Sequence, residues 1–180
     1  MTRIMAAVVV TLSVAITTAG GSRSVNPVSF PSNRTETASA DGRFAVVNVD
    51  SDFEPHHALF LENRKTRVRR KLVEYGRSVE VLWNPNGNAF AVTDYVGSNI
   101  SECFVYSTSA DEAPVNVADE IQHSIANPIE LASIQKNDHI YYAAVRWTSP
   151  QTLRVKVWGH GDVNPSGFIR TYTYRMQRKR

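Results

Sequence analysis

The residues whose types and spacing best suit chemistry are Trp158-Gly159-His160-Gly161-Asp162, where two glycines flank a histidine directly after a strand-like run and permit unusual backbone angles. Loops at strand ends carry many sites. A carboxylate beside His160 would favour its protonated form, and Trp158 would offer a stacking surface to a sugar, a peptide or an aromatic ligand. The competing reading is a long hairpin turn shaped by glycines, with His160 and Asp162 solvated or closing the turn. A second polar loop, Asp94-Tyr95-Val96-Gly97-Ser98-Asn99, has an Asx-type turn as its own alternative. Asp94 follows Trp83 by 11 residues, and Trp158 follows Trp147 by 11. Equal offsets imply equal strand ends, so Asp94, Tyr95, Trp158, His160 and Asp162 are expected around one rim, against the alternative of two unrelated polar turns.

Other constellations carry less. His56-His57 follows Asp52, Glu54 and Pro55, but adjacent strand residues point to opposite faces and rarely ligate one ion together, so no metal site is assigned. Cys103 is the only cysteine. It excludes an intramolecular disulfide and reads as a small buried hydrophobe, no histidine standing near it in sequence. The chain has no Gly-rich phosphate loop, no paired-Cys spacing, no His-Glu-x-x-His and no Gly-x-Ser-x-Gly elbow, and no cofactor is expected.

The elements that position these residues are mainly strands. Period-2 alternation predicts them over 44–49, 58–61, 68–75, 79–83, 89–93, 103–107, 140–147, 153–158 and 168–176. The sharpest is the hairpin over 78–95, whose turn Asn84-Pro85-Asn86-Gly87 has Pro to preset φ and Gly to supply positive φ. Between strands the period changes. Asn116 is a good N-cap, with Asp119 at the capping-box position and Val117, Ile121 and Ile125 on one stripe; Asn127-Pro128-Ile129-Glu130 repeats that logic for a second short helix to about 135. Trp147-Thr148-Ser149-Pro150 and the strand after it echo the first hairpin at a spacing of 64 residues.

At the N-terminus, Arg3 precedes an apolar run over 4–16 and then small residues, the layout of a cleavable signal peptide over 1–21. The run is short for a permanent span, so no membrane anchor is expected after cleavage, although an uncleaved anchor is the alternative. Cleavage at Ala38-Ser39-Ala40 ranks second. Residues 22–40, rich in Ser, Thr, Asn and Pro, read as a flexible leader, and 41–180 as a single β-rich domain. Losing Arg3 lowers the formal charge from +3 to +2. The basic clusters over 64–71 and 175–180 read as a charged edge strand and a frayed tail, and without interleaved aromatics they imply no nucleic-acid partner. Sequons at Asn33 and Asn99 place neither residue in a core.

The segment Trp83-Asn84-Pro85-Asn86-Gly87 with the small-apolar strand after it resembles blades of exported bacterial β-propeller repeat proteins, and the whole is similar to small exported bacterial proteins of unknown function. The resemblance implies a mainly β (α+β) fold of antiparallel blade-like sheets in an incomplete or open propeller-like arrangement, with a short helical insert near 117–135. About 140 residues supply roughly three blades, fewer than the four at which propellers usually close. Two functions follow. The first is an extracytoplasmic (periplasmic or secreted) binding module for a protein, peptide or saccharide, with no catalytic residue. The second is a small extracytoplasmic hydrolase or metal-assisted enzyme using His160 with Asp162 or Asp94.

Overall fold

A computed structural model describes residues 26–177 other than 55, 110, 111 and 163. The expected signal peptide and residues 22–25 lie outside the described residues.

The leader reading gives way at once. Strand β1 (Val28–Phe30) pairs antiparallel with residues 79–81, and β2 (Glu36–Ala38) pairs with residues 45–47. Phe30 is fully buried, and that one ring anchors a segment whose composition otherwise favours disorder. A meander follows: β3 (Phe44–Asp50), β4 (His57–Asn63) and β5 (Arg69–Tyr75) complete a four-stranded antiparallel sheet in the order β2-β3-β4-β5. β5 is its edge, as the Arg69, Arg70 and Lys71 run suggests.

The second sheet is built on β6 (Val79–Trp83), β7 (Ala89–Asp94) and β8 (Ile100–Ser107), with β1 beside β6 and the short β9 (Val115–Asn116) beside β8. Its hairpin closes as the sequence requires: the Gly87 N–H donates to the Asn84 carbonyl at 3.1 Å and Gly87 holds φ +68°. Helix α1 (Val117–Ser124) starts on the Asn116 side chain, which accepts from the Ala118 N–H. Helix α2 (Pro128–Gln135) starts on Asn127, which accepts from the N–H groups of Ile129 and Glu130. The chain then forms β10 (His139–Ser149), β11 (Thr152–Gly161) and β12 (Asn164–Arg175), an antiparallel set joined to β8 by a short parallel pairing at Ile140↔Ile100 and Tyr141↔Ser101.

Every residue of β7 is buried. Alternation there separates large from small rather than apolar from polar, as a sheet covered on both faces requires. Phe90 and Val92 join Val79, Val81, Trp83, Leu59 and Tyr75 in one core against the β2–β5 sheet. Ala91, Leu82, Cys103 and Val105 join Val155, Val157, Ile121 and Ile134 in another against β10–β12 and the helices. The four-stranded sheet thus packs on one face of β6–β8, and the β10–β12 part of the same eight-stranded sheet folds over the other face with the helices. Burying Phe30, Trp83 or Phe90 contributes about 1.5–3 kcal/mol each. The two tryptophan hairpins meet directly. The Trp147 indole donates to the Leu82 carbonyl at 3.0 Å, and the fully buried Asn84 donates to the Pro150 carbonyl at 2.9 Å.

Candidate ligand-binding face

Along β11 the alternation is strict. Leu153, Val155 and Val157 are fully buried, so Arg154, Lys156, Trp158 and His160 project from the opposite face. The pairing register sets their neighbours. His160 lies opposite His139, Trp158 lies between Tyr141 of β10 and Ile169 of β12, and Arg154 lies opposite Arg146 beyond a bulge at Val145. Flat groups pair across the strands: the His139 and His160 rings stack at 4.1 Å and 13°, and the Tyr141 and Trp158 rings at 5.1 Å and 16°. The Lys156 ammonium stands 4.8 Å from the Trp158 ring centroid.

Tyr141 ties this face to the loop after β7. Its hydroxyl donates to the Ser98 carbonyl at 2.5 Å and lies 3.3 Å from His139 Nδ1. The one hydroxyl proton goes to the Ser98 carbonyl, so a hydrogen bond between Tyr141 and His139 Nδ1 runs from the ring N–H to the hydroxyl oxygen.

The run Trp158-Gly159-His160-Gly161 is strand and not loop, and its glycines serve close approach rather than unusual φ. A Cβ on Gly159 would sit 2.2 Å from the His139 carbonyl oxygen, and one on Gly161 would sit 2.8 Å from the Asp138 nitrogen. Asp162 stands exposed in the turn that follows.

The expected common rim does not form. Asp94 shares the parity of Phe90 and Val92, so its side chain enters the layer shared with Tyr75 and Tyr106, whose hydroxyls are pushed to higher pKa chiefly by burial, with the Asp94 charge adding to it. From Asp94 to His160 the hydrogen-bonded path crosses β8 and β10, and the two side chains stand on different faces, Asp94 towards the β2–β5 sheet and His160 outward. Tyr95, on the other side of the same strand end, donates to Glu80 Oε2 at 3.2 Å. Only Trp158 and His160, among the five expected residues, share one open face. Asp94 is the last residue of β7 whereas Trp158 lies inside β11, so the equal offsets do not mark equal strand ends, and they said nothing of the face on which each side chain stands. Asp94 is 8% exposed, and burial, with Glu102 directly opposite, raises its pKa from 3.8 to about 6.

Two further clusters complete the picture. Asp50 Oδ1 lies 2.7 Å from His57 Nδ1 and accepts from Asn48 Nδ2 at 2.8 Å, while Tyr75 donates to Asn48 Oδ1 at 2.6 Å and stacks on the His57 ring at 5.0 Å. These bonds hold the Asp50 carboxyl below its ordinary range. Four of the six cations over 64–71 are paired locally, Arg67 and Arg69 with Glu62, Arg64 with Glu36 and Lys71 with Glu74, while Arg70 donates to the Ser107 carbonyl. Among the described residues no three His, Cys, Asp or Glu side chains stand where they would hold a metal ion.

The contrast lies in β10–β12. Arg146, Arg154, Lys156 and Arg175 make no ion pair among the described residues, and the outward positions of the three strands carry no carboxylate. A simple count shows the signal: residues 139–180 hold eight Lys and Arg against one acid, Asp162. No family model, no curated protein and no solved structure matches this chain.

Proposed function

We propose that this protein is an exported binding module whose ligand seat is the outward face of β10–β12, carried on an open, propeller-like stack of sheets. The observation that carries the reading is one face bearing paired rings, Tyr141 with Trp158 and His139 with His160, beside four cations that lack carboxylate partners. Such a surface leaves charge and flat apolar area available to a ligand. Successive antiparallel strand sets, β2–β5, β6–β8 and β10–β12, that pack face to face support the blade-like reading. The placement of Asp94 towards the β2–β5 sheet weighs against its dyad with His160 in the hydrolase alternative.

The test is a titration of the full chain, followed by backbone amide shifts, with three probes: heparin, a short thymidine oligonucleotide and maltoheptaose. Shifts concentrated on β10–β12 with at least one probe are expected. Shifts confined to other sheets, or none with any probe at low salt, would refute the assignment. Export has its own test in the mass of the mature protein, since soluble protein that retains residues 1–21 would contradict a cleaved signal.

A further inference from the structure

We infer that the ligand of the β10–β12 face is a single-stranded nucleic acid, an inference that rests on the binding reading above and names its substrate class. Two requirements must be met on one surface: cations to follow a phosphate chain and aromatic rings on which unpaired bases stack. The basic clusters over 64–71 and 175–180 do not meet them. The outward side of β10–β12 does, with Arg146, Arg154 and Lys156 joined by Arg175 at the start of the second cluster. Arg154 and Lys156 are two residues apart on one strand, about 6.8 Å along it, and Arg146 stands across from Arg154. Trp158 and His160 continue the same row, each stacked on its cross-strand partner. The row from Arg154 to His160 is about 20 Å long, enough for a site of about four nucleotides.

The arrangement around Trp158 separates the candidate ligands. The indole stacks on Tyr141, and the Lys156 ammonium also lies over it, 4.8 Å from the ring centroid. A flexible four-carbon stem lets that ammonium leave the ring for a phosphate oxygen, exchanging a cation–π contact for a charge-assisted hydrogen bond. The vacated indole face then accepts a planar base. A neutral saccharide would leave all four cations unanswered. A sulfated or uronate glycan would answer the cations but brings no planar π group to the opened ring. In a duplex the bases already stack on one another, so their faces are closed to Trp158.

Fluorescence anisotropy of a labelled fifteen-residue oligothymidine with the full chain, across a salt series, tests this. The logarithm of the binding constant should fall against log salt with a slope of about −3, from four phosphate contacts at about −0.7 each. Replacing both Arg146 and Arg154 by alanine should bring the slope to about −1.4. Trp158→Ala should weaken binding about 10- to 100-fold with the slope unchanged, and Trp158→Phe, which keeps a stacking ring, should restore most of the loss. Circular dichroism of each variant separates a binding defect from unfolding. The inference is overturned if the oligonucleotide does not bind at low salt, or if a folded Trp158→Ala binds as tightly as the parent. It is also overturned if dextran sulfate binds through these residues while oligothymidine does not. In that last case the face is still a ligand seat and only its ligand class has been misjudged.

Discussion

Replacing Asp94 by asparagine should make this protein more stable at neutral pH, an unusual outcome for a change at a buried position. Asp94 ends β7 with its side chain in the layer between β6–β8 and the β2–β5 sheet, directly opposite Glu102 of β8. Burial is the larger cause of its raised pKa and the Glu102 charge the smaller. An acid whose pKa rises from 3.8 unfolded to about 6 folded holds its proton more tightly in the native state. Stability is therefore greatest below pH 3.8, falls as pH rises towards about 6, and stays lowered above it. The full difference is about 3 kcal/mol. Asparagine removes the charge but retains a polar group to desolvate, so the expected gain at pH 7 is about 1–3 kcal/mol. Urea melts of parent and variant from pH 4 to 8, compared by midpoint at constant slope, measure it. The carboxyl of Asp41, lowered to about 2 chiefly by its bond from Ser39, stabilises the fold fully above pH 3.8 and loses that contribution as pH falls towards 2, so its pH-dependent window does not overlap that of Asp94. If Asp94→Asn is no more stable than the parent at pH 7, or if both lose the same stability between pH 4 and 6, the argument from burial is wrong.

Three further outcomes are expected. Trp83, 2% exposed with its indole donating to the Thr37 carbonyl, should cost about 3–5 kcal/mol as alanine, and a loss below about 1 kcal/mol in denaturant melts would make it a dispensable contact. Asn84→Ala removes bonds to Asn88 and Pro150 on one side and from the N–H groups of Asn88 and Ala89 on the other, and should cost about 2–3 kcal/mol by thermal or chemical melt, with no measurable loss counting against the link between the hairpins. Gly159→Ala should cost about 1–3 kcal/mol and displace the His139 amide resonance, because the added carbon meets that residue's carbonyl; an unchanged spectrum would show that β10 yields freely there.

The long strands and both helices were legible to within a few residues, because strand alternation and cap chemistry are properties of the local chain. Asn116 and Asn127 cap as their types demand. β1 and β2 were not legible, since three residues show no period and both strands exist by pairing with sheets formed elsewhere. The extension of β11 through Gly161 was hidden by its glycines, which speak for a turn until the neighbouring strand is known. Of the five expected site residues, Trp158 and His160 stand on one open face, Asp162 lies in the turn after β11, and Asp94 and Tyr95 stand elsewhere at the end of β7. The charge imbalance after residue 138 was open to counting, but assigning Arg154 and Lys156 to one open side required knowing that Val155 and Val157 face the helices.

The parity of β11 also bears on how such a protein can change. The side chains that a ligand would meet and those that hold the interior together alternate along one strand, so a substitution at 154, 156, 158 or 160 leaves the packing of Leu153, Val155 and Val157 as it was. Specificity can then drift, or be rewritten in the laboratory, without drawing on a small reserve of stability. The glycines are the exception. Positions 159 and 161 are closed to almost every other residue, and whatever this face evolves to recognise, it must do so around a fixed seam at its His139–His160 end.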